Sequence, residues 1–267
     1  MKKKKWPFVY VALITVLTYI PILLTVVYSF NASKLTSVWE GFSLKWYREL
    51  FRDRDLGEAL INSLILAVLS CAFAVLIGTS GALGMSRRKR KLDDAVAYVS
   101  TLPIMIPEII LGLAFMVVFN AMGLRGNDLR LILAHVTFCI PYIFLNVKSR
   151  LVGMDTALFD AARDLGASPP RVVRDITLPL CRPAIFSGAF LALAMSLDDF
   201  VISFFVYGAG EGTLPIKIYS SVKVGVSPQV NALCTLIMGV VFIAVALSRY
   251  ISSVRIARQR RMERRSA

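Results

Sequence analysis

Residues 8–30 run for 23 positions without one charged side chain. As a helix this stretch reaches roughly 34 Å, enough to cross the hydrocarbon of a bilayer. Comparable apolar runs recur at about 59–85, 95–122, 131–147, 183–207 and 230–250. A single aqueous core cannot hide six such blocks, whereas a bilayer solvates them. Composition agrees, with 57% hydrophobic residues and a mean hydropathy of +0.67. The expected fold class is all-α: a polytopic membrane protein of six transmembrane helices, with residues 1–267 forming one transmembrane domain.

The formal net charge of +14 would suggest nucleic acid in a soluble protein. Here the bases lie in clusters flanking the apolar runs. Groups of 4 (Lys2 to Lys5), 5 (Arg87 to Lys91), 6 (Lys148 to Arg182) and 7 (Arg249 to Arg265) fall on alternate segments, against 9 on the opposite side. By the positive-inside rule both termini are cytoplasmic, and no nucleic-acid partner is indicated. The first run is too long for a secretory signal core and reads as an uncleaved span. The tail from Arg255 to Arg265 reads as a stop-transfer cluster at the lipid headgroups.

Within the spans, Gly78, Gly81 and Gly84 invite close helix contact, and Pro103 and Pro107 predict a kink or break in the third run. Outside, Leu44, Tyr47 and Phe51 share one face of a short helix that Ser43 can cap, with Trp46 nearby. This is either an interfacial helix at the outer mouth or an aromatic anchor. The glycine-rich stretch Gly208 to Ser227 reads as a re-entering loop.

Residues 151–182 form the largest cytoplasmic loop. Asp155 or Thr156 can cap a first helix ending at Gly166, the residue type suited to a left-handed C-cap. Ser168 can cap a second helix that opens on Pro169 and Pro170, and Pro179 is expected to stop it. A helix–glycine–helix element of this kind is a shaped docking surface; the plainer reading is a solvated connector.

Three acids fall inside apolar runs: Glu108, Asp198 and Asp199. An ionised carboxylate at the bilayer centre costs about 3 kcal/mol on insertion scales, so such groups face a cavity or a partner. Adjacent helical residues point about 100° apart, so at most one of Asp198 and Asp199 can point straight into a pathway. Acids in a pore suit a cation. With Trp46, Tyr142 and Phe138 as candidate aromatic faces, an organic ammonium fits best. No Lys or Arg lies deep in a run, which argues against phosphate or sulfate as cargo.

Catalytic residues are not indicated. His135 is the sole histidine, no GxSxG occurs, and a lone histidine in a span is read as a packing hydrogen bonder. The four cysteines are scattered, so neither a metal site nor a disulfide framework is expected. No GxxxxGK phosphate loop occurs either.

The loop resembles the EAA motif of ABC-importer permeases. Asp160, Ala161 and Ala162 are followed at the family spacing by Gly166, then by Ile176, Leu178 and Pro179, with Asp160 standing for the usual Glu. The resemblance implies a MetI-like type I permease whose loop seats a coupling helix in a separate cytoplasmic ATPase dimer. That ATPase, not this chain, would bind ATP and Mg. The segments SLDDFVISFFV, LPIKIYSSVKVGVSPQVNAL and HVTFCIPY are similar to the second permease subunit of bacterial spermidine/putrescine ABC importers. The expected setting is the bacterial inner membrane, with a homologous second permease subunit, a periplasmic substrate-binding protein and membrane lipid as partners. Permeases for ferric iron, thiamine or amino acid derivatives share the architecture. An ion-driven carrier or channel would leave the loop motif unexplained.

Overall fold

The computed structural model describes residues 6–34, 38–85, 91–207, 212–224 and 227–266. Its regular elements are helices: α1 (Trp6–Tyr28), α2 (Lys45–Leu50), α3 (Arg54–Met85), α4 (Lys91–Met105), α5 (Glu108–Ala121), α6 (Asn127–Val152), α7 (Ala157–Asp164), α8 (Pro169–Val172), α9 (Leu178–Asp198), α10 (Val201–Tyr207), α11 (Leu214–Val224) and α12 (Pro228–Ser266). Five helical stretches are long and apolar enough to cross a membrane, and a sixth is obtained if the bent pair α4–α5 is taken as one span. The chain divides into two compact units, Met1–Arg54 with Ile218–Ala267, and Asp55–Lys217.

In the first unit α1 buries none of its apolar window. The hydroxyls of Thr15, Thr18 and Thr25 donate to carbonyls four residues earlier, so the helix offers an apolar surface all round. Its end is tied to α2. The Trp46 indole N–H donates to the Asn31 carbonyl at 2.7 Å, and the Ser29 hydroxyl meets the Tyr47 hydroxyl at 2.7 Å. Phe30 stacks on Phe42 with ring centres 5.3 Å apart. α12 packs against both α1 and α2.

The second unit is built round α6. Its main neighbour is α9, with α4, α5 and α10 also packed against it. The approach to α9 is close because residue 188 is glycine: a Cβ there would sit 2.9 Å from the Ile143 Cα. Gly78 brings α3 against α6 in the same way, 3.1 Å from the Ile140 carbonyl, and Gly81 faces Phe144. Gly84, expected with them, meets nothing within 4 Å. The thiols of Cys71 and Cys139 donate to the carbonyls of Ala189 and Ala192.

The third run breaks as Pro103 and Pro107 predicted, with α4 and α5 bent by 109° at the break between Met105 and Glu108. Two expectations are corrected. Pro179 does not end a helix. The chain stays helical from Pro169 into α9 through a π-helical turn, Val173–Thr177, and Pro179 sits in the opening turn of α9. A π turn redirects the backbone hydrogen bonds, so a proline there need not break the ladder. The fifth run does not continue to residue 207: α9 stops at Asp198 and α10 is a separate short helix. The stretch expected as a re-entering loop holds α11; residues 208–211 and 225–226 lie outside the described residues.

Candidate functional site

Two helix breaks in the second unit bring the membrane acids together. At the first, Pro107 takes extended geometry (φ −54°, ψ 134°) and Glu108 opens α5. A carboxylate in the first turn of a helix lies at the positive end of the peptide dipoles. At the second, Asp199 is extended (φ −65°, ψ 116°) between α9 and α10. Its Oδ1 accepts from the Ile202 amide at 3.1 Å, and its Oδ2 from the Ser203 amide and hydroxyl, each at 2.8 Å. This is capping by a short acid, which satisfies amides that the broken helix would orphan.

The breaks are held side by side by packing of α5 against α10, where Gly112 lets Phe205 and Ile202 approach. Glu108 opens α5 on one side of this packing, and Asp198 and Asp199 lie at the break that precedes α10 on the other. Glu108 and Asp198 are exposed, whereas Asp199 is 6% exposed. Adjacent acids thus point to opposite surroundings, Asp198 outward and Asp199 into the protein.

Asp199 is also paired. His135, from the middle of α6, places Nε2 3.4 Å from Asp199 Oδ2 and 3.0 Å from the Ser203 hydroxyl, and Nδ1 2.8 Å from the Ser196 hydroxyl. The sequence reading of His135 as a packing hydrogen bonder is met by its bonds to Ser196 and Ser203, but it did not name Asp199 beside it. Ser196, Asp199 and Ser203, at spacings of three and four, were the available signal, since those positions share one helical face with each other.

The aromatic candidates separate. Tyr142 is half-buried, and Phe138, 2% exposed, stands edge-on to it with ring centres 5.6 Å apart. Phe138 therefore backs Tyr142 and offers no open face. Trp46 belongs to the other unit, is 5% exposed, and spends its indole N–H on Asn31. Its place is that of an anchor for α2; the pathway expectation rested on its ring as an open aromatic face, and that ring is buried. Phe51 of that face is 78% exposed. Ser43 does contribute, its hydroxyl accepting from the Lys45 amide at 3.1 Å.

The loop at 151–182 has the local chemistry its sequence dictates. Asp155 Oδ1 accepts from the Ala157 amide at 2.9 Å, starting α7. Gly166 has φ +83°, and the Ala167 amide reaches back to the Ala162 carbonyl at 3.0 Å, closing the helix with a left-handed glycine. Ser168 is extended, with Pro169 and Pro170 in the first turn of α8. Asp160 and Ala161 are exposed and Ala162 is turned inward at 8%. Ile176 and Pro179 are half-buried and Leu178 is exposed. A cavity of about 590 Å³ lies beneath, lined by Met154, Phe159, Asp160, Arg163 and Val172 among others. Arg150 donates from Nε to the Leu180 carbonyl at 3.2 Å, tying the end of α6 to the start of α9.

Helices of membrane-spanning length, broken where acids gather, together with a rigid polar loop, define a polytopic transport subunit. Residues 74–262 match the family described as "Binding-protein-dependent transport system inner membrane component", and the chain belongs to that family. It is 41% identical over 256 residues to the putrescine transport system permease protein PotI of Escherichia coli K12, covering 93% of this chain and 91% of that one. It is 40% identical over 234 residues to the spermidine/putrescine transport system permease protein PotC of the same organism, covering 88% and 89%. Its fold is that of a chain in the crystal structure of a bacterial ABC transporter that imports the acidic polysaccharide alginate. The TM-score is 0.71 at 12% identity, covering 94% of this chain and 98% of that one.

Proposed function

We propose that this chain is the permease subunit of an ATP-driven importer that carries polyamines, putrescine and spermidine, from periplasm to cytoplasm across a bacterial inner membrane. The observation that carries the cargo is the packing of α5 against α10, which puts two helix breaks bearing Glu108, Asp198 and Asp199 on one packed pair in a chain with no base deep in its spans. The relatives named for putrescine and spermidine transport support it. A linear diammonium or triammonium ion matches separated carboxylates through charge, and the Tyr142 ring adds an aromatic surface for its alkyl stem and ammonium. Exposed carboxylates at a break hold such a cation only loosely, as passage requires, since a deep well would trap it.

The chain itself would carry out no chemistry. ATP and Mg would be bound by an ATPase dimer on the cytoplasmic face, where the loop from Asp160 to Pro179 would dock through its exposed surface. The π turn joining that loop to α9 makes loop and span one continuous helical lever ending at Asp198. Movement at the loop would therefore reach the carboxylate site along a single rod. A homologous second permease subunit would complete the pathway, and a periplasmic binding protein would deliver cargo. The distribution of bases, with both termini cytoplasmic, supports this orientation.

The test is uptake of labelled putrescine and spermidine by the complete complex in proteoliposomes, with and without ATP. Phosphate, ferric iron and amino acids in excess serve as competitors. ATP-dependent uptake blocked by polyamines alone is expected. Uptake of neither polyamine by an assembled, ATP-hydrolysing complex would remove the cargo.

A further inference from the structure

One buried polar cluster is used by neither cargo nor loop. His135, Ser196, Asp199 and Ser203 come from three helices and the break between two of them, and none is more than 6% exposed. Because the Ser203 hydroxyl donates to Asp199 Oδ2, its lone pairs are left to accept from His135 Nε2. The other ring nitrogen meets Ser196. The imidazole therefore cross-links the last turn of α9 to the first turn of α10 from a third helix. Asp198 is the last residue of α9, and beyond it the helical ladder is interrupted, so the bonds that hold Asp199 and the start of α10 decide how that helix end is set. Burying a polar cluster is a poor way to gain stability, since apolar packing holds helices at less cost; what it supplies is direction.

We infer that His135 is a positioning residue of the cation site: by tying Asp199 and Ser203 to α6 it fixes the break at which α9 ends, and with it the outward setting of Asp198 at that end. The inference rests on the proposed role of Glu108 and Asp198 in cargo recognition. His135 touches no cargo; it acts through the geometry of the break.

Two substitutions separate the ring's two bonds. A glutamine amide reaches the place of Nε2, and an asparagine amide the place of Nδ1. In the complete complex, His135→Asn should raise the KM for putrescine by about tenfold while the amount of assembled complex and the maximal rate stay near normal. His135→Gln should stay within about twofold of the parent. Combining His135→Asn with Asp198→Asn should be no worse than Asp198→Asn alone, because the first acts through the second. Equal damage by Asn and Gln, additive effects, or a fall in maximal rate with KM unchanged would overturn the inference.

A second readout is independent of cargo. In a D198C chain carrying C234S, position 198 is labelled with a cationic thiol reagent, the remaining cysteines being buried. H135N should slow that labelling by about tenfold and H135Q should not. If putrescine is not transported but labelling follows this order, the positioning role stands and the cargo fails. If putrescine is transported but labelling ignores His135, the positioning role fails and the cargo stands. Should H135N not assemble, S203A must slow labelling and S196A must not; equal effects overturn the inference.

Discussion

The imidazole of His135 and the carboxylate of Asp199 approach to 3.4 Å, with side-chain exposures of 0% and 1%. Asp199 also accepts the amides of Ile202 and Ser203, so its oxygens are committed inside the protein. The adjacent Asp198 has the opposite surroundings and is exposed. Two acids side by side in the chain thus have different work.

Their isosteric amides should separate accordingly. Asp199→Asn removes a buried acceptor beside His135 and Ser203 and weakens the cap of α10, a loss of about 1–3 kcal/mol for leaving buried donors unsatisfied. It should lower the yield and thermal midpoint of the complex. Asp198→Asn removes only an exposed charge and should leave both near the parent while reducing uptake. Thermal unfolding of the purified complexes in detergent checks the first part, and the reverse order of stabilities would refute it.

Gly188 sets the distance between α6 and α9. An added methyl would sit 2.9 Å from the Ile143 Cα, so Gly188→Ala should cost about 1–3 kcal/mol through overpacking of helices that cannot part. Gly84 meets nothing within 4 Å, and Gly84→Ala should be neutral or gain up to about 1 kcal/mol from the better helix former. Denaturation midpoints of the two variants, compared with the parent, decide whether close approach or glycine itself matters.

Gly166 holds the loop's two helices at a left-handed turn, φ +83°, where a β-branched residue is strained by about 1–2 kcal/mol. Gly166→Val should shift α7 relative to α8, so that ATP hydrolysis continues while putrescine uptake falls at least severalfold. Ala162→Asp, which buries a charge on the inward face of α7, should uncouple in the same way. Both are read as the ratio of transported putrescine to ATP hydrolysed. A ratio equal to the parent's would return the loop to a passive connector.

Much of this architecture was legible because it is written in local chemistry. Charge-free runs mark the spans, and an Asp, a Gly and a Ser–Pro–Pro in succession mark the ends of α7 and α8; Asp155, Gly166 and the two prolines take their expected roles, while Ser168 holds the cap position without a side-chain cap bond. The break after Asp198 was not legible, since neither proline nor glycine marks it. It depends on a carboxylate capping the next helix and on a histidine sixty-four residues away. Pro179 misled for a related reason: its effect is absorbed by a π turn, which sequence pattern does not announce. Trp46 was offered as an aromatic face by residue type, but its burial goes with a hydrogen bond to Asn31 across an irregular segment, which helical periodicity does not show.

Of all the residues discussed, Glu108 bears most directly on the central reading, because it is exposed, charged and free of the structural bonds that hold Asp199. The decisive measurement is putrescine uptake against concentration by complexes carrying Glu108→Gln, beside the parent, at matched levels of assembled protein. The expected result is a KM raised roughly tenfold, as for loss of one charge-assisted contact of about 1.4 kcal/mol, with assembly unchanged. An unchanged KM and rate would contradict the cation site and return Glu108 to a helix-capping role.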